Sequence, residues 1–230
     1  MGRPPMTFDF SVVLLRWQML VDGMALTAQL ALVTTLTGFI IGTACAIARR
    51  SGGPVLRAIA STYIESVRNT PFLVQIFVVY FGLSSLGYSF GAIFVAILAL
   101  TVNVGAYTAE IMRAGFDAIQ KGQWEAGECL GLSPVQLYWH VGLRPAMERV
   151  YPALTSQFIL LMLASSVTSQ ISAEELTAAG NFIQSETYRP FETYLVIAVI
   201  YLFLSIVMRA LFWALGMALF PRRRRLGTPL

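Results

Sequence analysis

The sequence predicts an all-α membrane protein of five spanning helices, with its N-terminus outside and its C-terminus inside. Three observations carry that reading. Hydrophobic residues make up 57% of the 230 positions and charged residues only 12%, a balance suited to lipid and not to a water-facing globule. Apolar runs long enough to cross ~30 Å of hydrocarbon as helices, roughly 20 residues each, recur along the chain. Of the 16 Lys and Arg residues, 13 fall on one side of the predicted membrane, leaving only Arg3, Arg16 and Arg189 on the other, which sets the orientation by the positive-inside rule.

The elements follow in order. Residues 1–22 hold Arg3, Asp9, Arg16 and Asp22 and show no small-residue cleavage pattern, so they read as an external or interfacial segment and not as a cleaved signal. The uncharged run 23–48 is the first span, and Arg49-Arg50-Ser51-Gly52-Gly53-Pro54 stops it. A second uncharged run, 69–109, is too long for one helix and divides at 82–87, where Gly and Ser cluster. Residues 69–82 alone would rise only about 21 Å, so the second span must start upstream. It is placed at 55–82, with Glu65 and Arg68 on one face and a kink at Pro71.

The third span is placed at 90–113, the fourth at 150–173 and the fifth at 193–220, where Arg209 can snorkel to the boundary. Between the fourth and fifth, Ser172 with Glu175 three residues on reads as a capping box opening a short helix. The transmembrane domain thus covers 23–220, and 221–230 is a basic tail carrying Arg222 to Arg225.

The polar stretch 117–149 is long for a connection between spans, and long loops carry function. Gln123, Glu125, Ala126 and Gly127 lie in a helix-forming run that stops at Gly131; Ser133, Pro134 and Gln136 then read as an N-cap, a first-turn proline and a capping box. Two short helices joined at a glycine elbow result, a rigid knob suited to a groove on a soluble partner.

Several chemistries are excluded or disfavoured. Cys45 and Cys129 lack metal-ligand spacing, and the single histidine, His140, has no paired carboxylate or cysteine cluster. No GxxxxGK[ST] loop occurs, so the chain has no phosphate cradle of its own, and no nucleophile–base set argues for an enzyme. The net charge of +4 is scattered singly until the tail, which membrane topology explains better than nucleic-acid binding. Polar side chains within the spans mark a bundle interior or a solute path. Asn103 and Glu110 are seven residues apart on one face, about 10 Å along the axis, and Gln75, Ser165 and Ser166 can complete a polar lining. Glu110 also stands one turn from Arg113, so a structural ion pair is the leading alternative for it.

Lys121-Gly122-Gln123-Trp124-Glu125-Ala126-Gly127-Glu128-Cys129-Leu130-Gly131-Leu132-Ser133 resembles the EAA loop of binding-protein-dependent ABC importer permeases. Tyr63 through Gln75, with Glu65, Arg68, Asn69, Thr70 and Pro71, and Ala106 through Gly115, with Tyr107, Glu110 and Arg113, are similar to the second and third helices of the polar amino acid permeases, the histidine, glutamine and arginine type. Gly127 stands where the motif has a second alanine, Pro145 comes one residue later than the motif's closing proline, and Leu163 replaces a lysine of many members.

The resemblance implies a permease subunit in a bacterial inner membrane that moves a polar amino acid or related small solute inward. It implies a second permease subunit, identical or sister, two ATP-binding subunits that hold ATP and Mg, and an external solute-binding protein. No cofactor is expected in this chain. Gln123, Glu125, Ala126, Gly127, Gly131 and Ser133 would contact the ATPase. A secondary transporter or channel without an ATPase partner is the alternative, but it leaves the knob without a use.

Overall fold

The computed structural model describes residues 8–220, so the 221–230 tail lies outside the described residues. Among them there is no strand; nine helices follow one another: α1 (Ser11–Leu14), α2 (Trp17–Ser51), α3 (Pro54–Arg68), α4 (Phe72–Ser85), α5 (Ala92–Asp117), α6 (Lys121–Cys129), α7 (Pro134–Ile171), α8 (Leu176–Thr187) and α9 (Pro190–Leu219). Four of them, α2, α5, α7 and α9, are long and apolar enough to cross a membrane, and α4 is a shorter apolar helix. Large apolar side chains such as Leu32, Leu36 and Ile40 on α2 and Leu202, Phe203 and Ile206 on α9 are exposed. An apolar exterior of this extent belongs in lipid or against another protein.

Helix α5 is the centre of the bundle, with α2, α3, α4 and α7 packed around it. Its inner positions are small or β-branched: Val95, Ala96, Ala99, Val104, Ala106 and Ala109 are fully enclosed. The tightest seam is with α2, where Gly38 and Gly42 are one turn apart. A Cβ at Gly42 would stand 2.6 Å from the Gly105 carbonyl oxygen and 2.6 Å from Thr108 Cβ, and one at Gly38 would meet Val104 Cγ1 at 2.2 Å. Without a hydrophobic drive between helices in lipid, close backbone approach at small residues is what holds such a pair. Thr37 and Thr101 hydroxyls add a 2.8 Å hydrogen bond across the same seam.

Three boundaries differ from expectation. The helix that carries the first span begins at Trp17, not 23, so Asp22 lies within a 35-residue helix of about 52 Å. The second, expected at 55–82 with a kink, is two helices: Pro71 is extended (ψ 139°), and α3 and α4 are separated at Asn69–Pro71. Proline disfavours the α conformation in the residue before it, and Asn69 and Thr70 donate their side chains back to the Glu65 and Ser66 carbonyls, replacing the helical ladder. The helix that carries the fourth span begins not at 150 but at Pro134, because the second arm of the knob runs into the spanning helix without a break.

At the end opposite the knob, α7 tightens into a 3-10 turn at Ser165–Ile171. Ser172 is not an N-cap. It ends α7 in the left-handed region (φ 64°), and Glu175 caps α8, accepting from the Ala178 N–H at 3.0 Å.

Candidate functional site

The knob is built from the inside outward. Trp124, on α6, is buried against Phe116 at the end of α5 and Tyr138 in α7, with ring centroids 6.5 and 5.1 Å away, and Arg50 lies over its ring at 4.7 Å. Ser51 and Tyr138 share a 2.5 Å hydrogen bond, so the end of α2 is tied into the same cluster. Two glycines make room: a Cβ at Gly142 would sit 2.6 Å from Trp124 Cη2, and one at Gly127 would sit 2.4 Å from Leu137 Cδ1. Gly127 is therefore turned inward, seating α6 on α7, and is not part of the exposed face.

Gly131 turns the chain between α6 and α7 at φ 72°, a conformation glycine adopts without strain. The capping box is complete: Ser133 N–H donates to Gln136 Oε1 at 2.9 Å and Gln136 N–H to Ser133 Oγ at 3.4 Å. Just beyond, Leu137–Gly142 is a π turn. Pro145 has no N–H to return to the Val141 carbonyl, and the helix is widened directly ahead of that missing bond.

The outward face carries Gln123, Glu125, Ala126, Gly131 and Ser133, all exposed, with Glu125 3.2 Å from Lys121. Leu130, Val135 and Trp139 flank the elbow, 80%, 78% and 67% exposed. Sequence reasoning passed over these three. The signal for them was three large apolar side chains inside an otherwise polar segment. His140 is exposed nearby, and among the described residues no group of His, Cys, Asp or Glu forms a metal site.

Above the knob stands an ion cluster. Glu110 accepts from Arg49 Nη1 at 3.0 Å and Arg113 Nε at 2.9 Å, and Arg113 Nη2 also contacts it. Arg68, stacked over Tyr107 at 5.7 Å, is 3.8 Å from the same carboxylate. Arg49 continues to Glu65 (3.2 Å), and Asp117 receives Arg50 (3.1 Å) and Arg113 (2.8 Å). The cluster ties α2, α3 and α5 together at one level.

Further along α5, Asn103 Nδ2 donates to Gln75 Oε1 at 2.9 Å. The Gln75 amide in turn reaches the Val67 carbonyl at 2.7 Å and the Thr70 carbonyl at 2.9 Å. Gln75 thus fills the break between α3 and α4, taking carbonyls that Pro71 and the turn leave without helical partners. The α7 hydroxyls are used locally: Ser165 is buried and donates to the Met162 carbonyl, and half-buried Ser166 donates to the Leu163 carbonyl. The structure joins Asn103 to Gln75 and leaves Glu110 with the arginines; it does not bring Ser165 and Ser166 into hydrogen bonding with any of them.

A buried polar centre not anticipated surrounds Glu175, 0% exposed. Tyr201 OH on α9 donates to its Oε2 at 2.6 Å, and Thr27 on α2 approaches at 3.5 Å while accepting from the Leu176 N–H at 3.2 Å. Burial pushes this carboxyl above the ordinary carboxylate value, outweighing the hydrogen bonds that lower it. Gly23 allows the approach: a Cβ there would lie 2.9 Å from Leu176 Cα.

Together these features define a multi-pass helical membrane protein with a rigid knob at one end of its bundle. A profile of the family described as binding-protein-dependent transport system inner membrane component matches residues 38–220, and the chain belongs to that family. It is 34% identical over 228 residues to the octopine transport system permease protein of Rhizobium radiobacter, covering 95% of this chain and 93% of that one. With the glutamine transport system permease protein of Escherichia coli K12 it shares 32% over 208 residues, 88% and 94% of the two chains. Among solved structures, a chain of an amino acid ABC transporter crystallised with histidines superposes with TM-score 0.82 at 34% identity, covering 95% of this chain and all of that one. A chain of a methionine ABC transporter in an inward-facing state superposes at 0.74 with 22% identity and shares the fold.

Proposed function

We propose that this chain is the membrane-spanning subunit of an ABC importer in a bacterial inner membrane, passing a polar amino acid or related small solute into the cytoplasm. The observation that carries the reading is the knob: an exposed face of Gln123, Glu125, Leu130 and Ser133 around Gly131, mounted on a buried aromatic cluster and continuous with a spanning helix. A face so rigidly held suits a surface that receives force. Five crossings follow if α3 and α4 together make one, with the knob cytoplasmic and α8 outside. ATP and Mg belong to two soluble ATPase subunits docked at the knobs, a second permease subunit completes the path, and a solute-binding protein delivers at the α8 end. Relatives that carry octopine and glutamine favour a solute with an amino acid head. Asn103, with Gln75 beside it, is the path residue best placed for such a group, since an amide both donates and accepts.

The test is made on the assembled transporter in proteoliposomes with Glu125→Lys and Gly131→Pro. Proline cannot adopt φ 72°, and the charge reversal falls on the exposed face, outside the apolar spans. Both variants should insert and assemble normally while ATP hydrolysis no longer drives uptake. Normal ATP-driven uptake in either would remove the knob from the coupling path.

A further inference from the structure

Where the knob meets the bundle, a groove of about 400 Å³ lies between the last turns of α2, the first turn of α3 and the first turns of α7. Thr43, Ile47, Leu56, Val135, Trp139 and Leu143 form its walls. The wall is apolar in practice, because the Ser51 and Tyr138 hydroxyls that border it are bonded to each other. It stands at the level where α2 leaves its apolar run, next to Arg49 and Arg50.

The rim of this groove is cationic. Arg57 is exposed and lies at the Gly52 end, its Nη2 3.4 Å from the Gly52 carbonyl, and no carboxylate pairs with it among the described residues. The arginines nearby differ in this respect: Arg49 is held by Glu65 and Glu110, and Arg50 by Asp117. Beside Arg57 the 15-residue helix α3 begins at Pro54 with no side-chain cap, so the positive end of its dipole lies at the same rim. Trp139, two-thirds exposed, adds the amphipathic ring characteristic of the membrane–water boundary.

We infer that this groove is a binding site for an anionic phospholipid. One acyl chain lies along Ile47, Leu56, Trp139 and Leu143, and the phosphate is held by Arg57 and the start of α3. Three features of the place select that occupant. It opens at the edge of the hydrocarbon, its walls match a hydrocarbon chain, and its one unpaired cation sits where the chain ends and a headgroup begins. Because the walls come from the knob and from two membrane helices, a lipid seated there packs the joint between them.

The test uses the full chain in detergent micelles, titrated with phosphatidylglycerol or phosphatidylcholine carrying brominated acyl chains, which quench tryptophan on contact. The Trp139→Phe variant identifies the part of the quenching that belongs to the groove. Half-maximal quenching of Trp139 is expected at about five-fold less phosphatidylglycerol than phosphatidylcholine, the preference one interfacial cation confers. Arg57→Gln, an exposed change that should leave helical content intact, is expected to erase the preference while quenching persists. Equal quenching by both lipids in the unaltered chain overturns the inference in favour of unselective annular lipid. Absence of Trp139 quenching overturns it in favour of a groove covered by protein. A preference unchanged in Arg57→Gln overturns the assigned headgroup contact.

Discussion

Replacing Gly42 with alanine tests whether close backbone approach holds the α2–α5 seam. The added methyl would stand 2.6 Å from both the Gly105 carbonyl oxygen and Thr108 Cβ. Neither neighbour can swing away, since one is backbone and the other is fixed to it. Ordinary contact needs about 3.4 Å, so the helices must part by about 0.8 Å along a seam that also holds the Thr37–Thr101 hydrogen bond. Overpacking of this kind costs roughly 1–3 kcal/mol, against a gain of up to ~1 kcal/mol from replacing glycine within a helix. Gly82 in α4 supplies the control, because a Cβ there meets nothing within 4 Å. Gly82→Ala should carry the helix gain alone, so the difference between the two variants isolates the seam at roughly 1–3 kcal/mol, about 2–12 °C in midpoint for a chain of this size. Thermal denaturation of the purified chain in micelles, followed by circular dichroism, measures it. A Gly42→Ala chain as stable as Gly82→Ala would show that the seam has slack and that close backbone approach does not hold it.

Glu110→Gln should lower stability by about 1–3 kcal/mol, because Arg49, Arg68 and Arg113 lose the carboxylate they converge on; the deficit should shrink in high salt, which screens their repulsion, and a salt-independent deficit would point to packing instead. Gln75→Leu should destabilise more than Asn103→Leu, since the first removes the amide donor from the Thr70 carbonyl, leaves the Val67 carbonyl only the longer contacts from Thr70, and takes the acceptor from Asn103 Nδ2, whereas the second frees only Gln75 Oε1. If Asn103 touches solute, Asn103→Leu should also impair uptake or change selectivity in proteoliposomes while ATP hydrolysis continues. Unaltered uptake and selectivity would take it off the path. Glu175 has a folded-state pKa above its unfolded one, so the folded chain holds a proton the unfolded chain has released between those two values. Stability should therefore fall as pH rises through that window from the ordinary carboxylate value upward, and Glu175→Gln, which cannot ionise, should flatten the profile; parallel profiles for the two chains would disprove the linkage.

The long apolar runs were legible because α2, α5 and α9 must satisfy every backbone group internally in lipid, and uninterrupted apolar runs of this length suit a helix and not the short alternating strands of a barrel. The knob was legible for a different reason: Gly131 and the Ser133–Gln136 pair carry backbone chemistry that acts over three or four residues. What escaped was long-range. Pro71 predicts a disturbance, but whether it bends or breaks the helix depends on Gln75 arriving to take the freed carbonyls. Ser172 and Glu175 have the spacing of a capping box, yet Thr27 and Tyr201, distant in sequence, enclose Glu175 and make it the cap of α8. The Gly38 and Gly42 pair is a recognised spacing for close helix contact, but its partner surface on α5 becomes identifiable only when the two helices are seen side by side.

The continuity of α7 has a consequence for what changes this chain can accept. From Pro134 to Ile171 it is one rod of 38 residues, about 57 Å long. A residue inserted or deleted anywhere between the elbow and the apolar span would not be absorbed by a loop. It would turn the knob by about 100° around the rod and shift it ~1.5 Å along the axis, carrying Trp124 and Tyr138 away from Phe116 at the end of α5 and from Arg50 and Ser51 at the end of α2. Length in this stretch is therefore under far stricter constraint than side-chain identity, and the π turn at Leu137–Gly142 is the one place along it where the winding already departs from regular and a change of register has somewhere to go.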